Sequence, residues 1–210
     1  ATSHSLTVRR PLRVHTWGER RFAVDGTPTD CVVVGVRKIV PDKRPTLVLS
    51  GINQGGNLAE DVTYSGTVAA AMEAALLGMP AIALSQKRGP GGTFPWAIPE
   101  TTAKGVIERI ARAGVPRDGL VNVNFPGCEP SAVGAVHVCR QGRRDVDASV
   151  VEGVDPGGRP YVWIGDTTAH SPPDADTDLA TVARNEIAVT PLHMDLTDQP
   201  GLKRIREAFG

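Results

Sequence analysis

No stretch of this sequence stays apolar long enough to cross a bilayer, and the opening residues Ala1-Thr2-Ser3-His4-Ser5 are not a secretory signal. Both absences favour a soluble, cytoplasmic protein. An excess of either charge is missing too. The 23 Lys and Arg balance the 23 Asp and Glu, so no net field draws nucleic acid or a membrane surface, and any polyanion has to be bound locally. Cysteine is scarce: Cys31, Cys128 and Cys139 are odd in number, lack metal-type pairing and stand in apolar or mixed stretches, which suits reduced thiols and predicts no disulfide. A Gly-x-Ser-x-Gly elbow, a Walker A sequence and a Gly-x-Gly-x-x-Gly turn after a strand are all lacking. Their absence removes the commonest sequence routes to a serine hydrolase, a P-loop NTPase or a dinucleotide-binding enzyme.

What is there is a chain of 210 residues, 40% hydrophobic, enough for one well-buried domain with an appendage. Leu6-Thr7-Val8, Leu12-Arg13-Val14 and Arg21-Phe22-Ala23-Val24 alternate like surface strands. Thr27-Pro28-Thr29-Asp30 is a helix start, with Thr27 as N-cap, Pro28 in the first turn and Asp30 closing a capping box, for a helix running to Pro41. Thr46 to Leu49 reads as a buried parallel strand, Gly66 to Leu77 as a helix and Pro80 to Leu84 as the next strand, which together make a βαβ unit. A helix from Pro99 to Ala113 and a strand from Leu120 to Phe125 follow. Beyond Val136 the pattern predicts strands at Val136-His137-Val138, Tyr161-Val162-Trp163-Ile164 and Ile187-Ala188-Val189, a polar arm around Asp155-Pro156-Gly157-Gly158, and a basic terminal helix. The fold expected is α/β, a Rossmann-like three-layer sandwich with a mostly parallel sheet. Residues 1–135 form its core, and residues 136–210 carry a protruding hairpin and an oligomerisation element that is not an independent domain.

The chemistry concentrates between Ser50 and Val68. Asn53 lies just past a strand, where side chains of an open α/β sheet converge on a ligand crevice. Its amide oxygen could ligate a hard cation or accept a substrate hydroxyl, or the residue could merely close a turn. Gly55 and Gly56 permit close backbone approach to an oxyanion. Ser65-Gly66-Thr67 sets hydroxyls and free amides at a helix start, a good seat for phosphate, although N-capping alone also explains Ser65. Glu73 reads as an exposed helix residue without a chemical role. His193 with Asp195 reads as subunit packing more than as an acid/base pair. Asp174, Asp176 and Asp178 lack the glycine and the closing Glu of a calcium loop.

Three long motifs resemble the SurE family of metal-dependent nucleotidases: Ser50-Gly51-Ile52-Asn53 through Asn57-Leu58, Asp61-Val62 through Tyr64-Ser65-Gly66-Thr67-Val68 to Glu73, and Leu77-Gly78 through Pro80-Ala81-Ile82-Ala83. The likeness extends upstream through Gly26-Thr27-Pro28-Thr29-Asp30-Cys31. Downstream it includes Asn122-Val123-Asn124-Phe125-Pro126 and Thr190-Pro191-Leu192 with Asp195-Leu196-Thr197. The resemblance implies an α/β phosphohydrolase that removes phosphate from nucleoside 5′- and 3′-monophosphates, in some members also acting on short polyphosphates. It implies a divalent cation, Mg²⁺ or Mn²⁺, and a homodimer or homotetramer. By position Asn53 matches a metal ligand, Asn57, Ser65, Gly66 and Thr67 match residues around the phosphate, and His4 matches a polar residue beside the site.

Family chains open with a strand ending in Asp-Asp-Gly, whose carboxylates bind metal, then a helix, a second strand and a metal-binding Ser. No counterpart occurs in these residues, so the resemblance leaves Asn53 as the one family metal ligand present. Two expectations follow: a nucleotidase whose first segment lies outside this sequence, or a shortened, inactive paralogue that serves as a binding or assembly subunit.

Overall fold

The computed structural model describes residues 3–144, 146–169 and 172–210; Ala1 and Thr2 of the opening stretch, and Asp145 within the arm, lie outside the described residues. Strands β1 (Val14–Gly18) and β2 (Arg21–Val24) form a small antiparallel ribbon. Helix α1 (Pro28–Val34) starts at the expected capping box, with Thr27 Oγ1 accepting from the Asp30 N–H and the Asp30 carboxylate accepting from the Thr27 N–H. It continues as a π-helical turn, Gly35–Ile39.

β3 (Val48–Gln54), α2 (Asp61–Tyr64), α3 (Gly66–Leu76) and β4 (Ala81–Gln86) come next. They are followed by α4 (Ala97–Ala113), β5 (Gly119–Phe125), β6 (Val136–Val138), β7 (Val146–Val154), β8 (Pro160–Ala169), α5 (Asp178–Ala183), β9 (Ile187–His193) and α6 (Gln199–Phe209). The main sheet has the order β3-β4-β5-β9-β6, with β3, β4 and β5 parallel, β9 antiparallel to β5, and β6 parallel to β9.

Alternation along the central strands builds three layers. Ile82, Leu84, Val121, Val123 and Phe125 face α4, where Ala103, Val106 and Ile110 meet them. Ala81 and Ala83 face α3, which brings Val68, Ala71 and Ala74. Small residues on both sides of that second interface let α3 lie close to the sheet. Val32 and Val36 of the α1 segment cover it from outside, so its apolar character all round is that of an enclosed helix. Each Val, Leu, Ile or Phe side chain buried this way contributes roughly 1.5–3 kcal/mol, and each Ala methyl much less.

Three sequence expectations are corrected. Leu6-Thr7-Val8 is not a strand, because the Thr7 N–H donates to the Asp30 carboxylate at 2.8 Å instead of to a ladder. The strand read as ending at Leu49 runs on to Gln54: its register shifts between Ser50 and Asn53 and then resumes with Asn53 opposite Ser85. It is also an edge strand with Leu49 half exposed, so it is not buried as a central parallel strand would be.

Candidate active site

The C-terminal ends of β3, β4 and β5 open on one edge of the sheet, and the chain from Gly55 to Thr67 crosses that edge. Gly55 is docked by its N–H on the Gln86 carbonyl at 2.9 Å, and a positive φ of 124° turns the chain over the strand ends. Asn57 then drops into a buried polar layer. Its Nδ2 donates to Ser85 Oγ at 2.6 Å and its N–H to Asn124 Oδ1 at 2.8 Å, while its carbonyl accepts from Asn122 Nδ2 and Asn124 Nδ2. Those buried amides are the alternate residues of β5, a strand otherwise apolar. Two Asn at i and i+2 in such a strand are the sequence signal for this layer.

Ser65 is the N-cap of α3, its Oγ accepting from the Val68 N–H at 3.1 Å. A hydroxyl that accepts one bond keeps its own hydrogen for a second partner. The N–H groups of Gly66 and Thr67 precede the first intrahelical donor, the Ala69 N–H on the Ser65 carbonyl, so among the described residues they have no partner at the positive end of the helix. Gly56, Asn57, Asp61, Tyr64 and Ser65 line a cavity of about 240 Å³. Two of the expected phosphate residues, Asn57 and Ser65, therefore share one cavity, and Gly66 and Thr67 continue from its wall.

Asn53 and His4 fall outside that lining. Asn53 Nδ2 donates to the Gly55 carbonyl at 2.8 Å, and among the described residues Oδ1 has no partner. His4 Nε2 meets Glu73 Oε2 at 2.9 Å, on α3 two turns beyond the helix start. Glu73 is thus not the exposed residue its sequence position suggests: it is only 7% exposed, with His4 against it and Ser3 bonded to Thr63 of α2. Asp174 pairs with Arg140, Asp176 faces His137, and Asp178 is buried, accepting N–H groups from Ala59, Gly142 and Leu179. The cluster is structural. Asp195 accepts from the Thr197 hydroxyl and N–H, bonds that hold its carboxyl below the ordinary range, and His193 Nδ1 accepts from the Asp195 N–H.

A cation site fails the test of donors. Among the described residues no three His, Cys, Asp or Glu come together, and the buried oxygens without partners, Thr29 Oγ1, Gln86 Oε1, Asn122 Oδ1 and Thr181 Oγ1, are all neutral. Asn53 Oδ1 is neutral as well, and a hard divalent cation normally takes at least one carboxylate. These residues do not by themselves fit Mg²⁺ or Mn²⁺. A wider cavity, about 1070 Å³, lies elsewhere: Val32, Val36, Leu47, Val48 and Leu49 line it beside the open edge of β3, and Asn57, Ser65, Gly66 and Thr67 do not.

The fold is an α/β sandwich whose α3 starts, capped by Ser65, at the carboxyl edge of the sheet. A sequence profile described as Survival protein SurE matches residues 1–148, and the chain belongs to the SurE family. The 5′-nucleotidase SurE of Methylocella silvestris is 50% identical over 209 residues, covering 99% of this chain and 83% of that protein. Its counterpart in Paramagnetospirillum magneticum is 49% identical over 209 residues, covering 100% of this chain and 80% of the relative. The crystal structure of the SurE protein from Aquifex aeolicus superposes with a TM-score of 0.82 at 37% identity, covering 99% of this chain and 83% of that one.

Proposed function

We propose that this chain binds the phosphate of a nucleoside monophosphate and works as a 5′-nucleotidase, releasing nucleoside and inorganic phosphate, with 3′-monophosphates and short polyphosphates as further substrates. The observation that carries the reading is the free start of α3, with Ser65, Gly66 and Thr67 beside a cavity large enough for a phosphate group. The name borne by the relatives, 5′-nucleotidase, supports it.

In this reading the Gly66 and Thr67 N–H groups and the Ser65 and Thr67 hydroxyls hold the non-bridging oxygens, and the helix dipole favours their charge. Asn57 shapes the floor, because its bonds to Ser85, Asn122 and Asn124 fix the turn above the strand ends. The proposal includes dependence on Mg²⁺ or Mn²⁺ with Asn53 Oδ1 as one neutral ligand, the carboxylates being supplied by none of the described residues. It also includes a homodimer or homotetramer and a cytoplasmic setting, where three free thiols stay reduced.

The test measures phosphate release from 5′- and 3′-monophosphates with Mg²⁺, with Mn²⁺ and in excess EDTA, beside calorimetric titration with inorganic phosphate. Thr67→Val should weaken phosphate binding about tenfold, the worth of one hydrogen bond to a charged group. Equal release in EDTA removes the metal from the proposal. Unchanged phosphate affinity in both Thr67→Val and Ser65→Ala removes the cradle.

A further inference from the structure

The turn that forms the phosphate cradle is stapled to the root of the β7–β8 arm. Ala59 sits at its centre, fully buried, with a φ of 51° that L residues rarely adopt. Both its peptide groups are held from outside the turn: the N–H by Asp178 Oδ2 at 2.9 Å and the carbonyl by Gln141 Nε2 at 2.8 Å. Such a conformation persists where its surroundings over-determine it.

Arg144, two residues before β7, completes the staple. Its Nη1 and Nη2 reach Asp61 Oδ1 and Oδ2 at 3.0 and 2.7 Å, a two-pronged guanidinium–carboxylate pair, and its N–H donates to Glu60 Oε1 at 2.8 Å. Asp61 Oδ2 also accepts from the Leu58 N–H at 3.2 Å. The Arg144 side chain is 24% exposed and that of Asp61 42%, so the guanidinium is the better shielded partner and the pair is open to water on the Asp61 side.

Asp61 belongs to the lining of the anion cavity with Asn57 and Ser65. A lone carboxylate there opposes a bound phosphate. We propose that Arg144 is a positioning residue for the phosphate site. It cancels the Asp61 charge in the cavity wall, and through Asp61 and Glu60 it fixes the turn from Leu58 to Ser65 onto the base of the arm. The inference rests on the phosphate-binding reading above. It assigns Arg144 no contact with substrate, and that sets the test.

Four variants, Arg144→Met, Arg144→Lys, Asp61→Asn and the double Asp61→Asn/Arg144→Met, are compared by calorimetric titration with inorganic phosphate and by steady-state hydrolysis of a nucleoside monophosphate with Mg²⁺. Arg144→Met should bind phosphate about tenfold more weakly, with KM rising in step and kcat changing less than about twofold, as expected for an uncompensated charge beside an anion site. Asp61→Asn should bind phosphate at least as tightly as the native chain. The double variant should recover the affinity lost by Arg144→Met, and Arg144→Lys, which keeps charge but loses the fork, should fall between.

A double variant as weak as Arg144→Met overturns the proposal and makes Arg144 a direct phosphate ligand. Native affinity in Arg144→Met overturns it as well. If Arg144→Met melts below the assay temperature, Arg144→Lys and the double variant decide. A native chain that neither binds nor releases phosphate sinks the functional reading and this inference with it. Native binding with an unaffected Arg144→Met sinks the inference alone.

Discussion

Asp30 shows how a single carboxylate can organise a corner of the molecule. It is only 2% exposed, and that burial alone would push its pKa up, yet the hydrogen bonds from Thr7 and Thr27 outweigh it and hold the group below its ordinary value of 3.8. A depressed pKa stabilises the fold fully above the unfolded value, and the contribution is lost as pH falls through the folded one. Replacing Asp30 by Asn should therefore cost about 2 kcal/mol at neutral pH, where a charged acceptor is lost. The gap between variant and native melting temperatures should close below pH about 4. A gap that persists at strongly acidic pH would contradict this account. Gly51 is a second residue-scale case: its φ is 121°, and a Cβ there would collide with the Leu84 carbonyl. Gly51→Ala should destabilise by well over about 1 kcal/mol in denaturant titration, since both space and backbone forbid it. At this scale the sequence reveals residues whose partners are local, such as Ser65 capping its own helix three residues on. Asn57 stands out by its position, but its partners lie 28 to 67 residues away, and nothing near Glu73 announces that His4 reaches it across 69 residues.

Among the elements, those that carry their own start signal are readable from the chain alone. Thr27-Pro28-Thr29-Asp30 opens α1 as expected. Thr27→Ala should cost about 1 kcal/mol as a lost cap. Because Thr27 Oγ1 also donates to the Ser5 carbonyl at 2.7 Å, the variant should in addition loosen residues 3–7. Faster protease cleavage near Leu6 would show it; cleavage unchanged at equal stability would tell against the strap. Helices α2 and α5, four and six residues long, are too short to display a period, so neither is visible in the sequence pattern. The extension of β3 is hidden by composition. Gly51 and Asn53 look like loop residues, and only the renewed pairing of Asn53 with Ser85 makes them strand.

For the molecule as a whole, the three-layer order is legible because alternating apolar strands and an amphipathic α4 dictate it, whereas the apolar surface left uncovered is not. The ribbon β7–β8 presents Val150, Val151, Val154, Tyr161, Val162, Trp163 and Ile164, all at least 47% exposed. α6 adds Ile205 and Phe209, also exposed. Apolar groups so grouped favour self-association, in keeping with the dimers or tetramers that the resemblance implies and sedimentation velocity would show; a monomer at all concentrations would refute that part of the proposal. The same ribbon has an optical consequence. Trp17, Trp96 and Trp163 are 79%, 37% and 68% exposed in the single chain, so its emission should resemble indole in water. If copies meet through the arm, Trp163 passes into an apolar setting. The protein then carries a built-in dye, whose shift to shorter wavelength on concentration reports the meeting of subunits without any label.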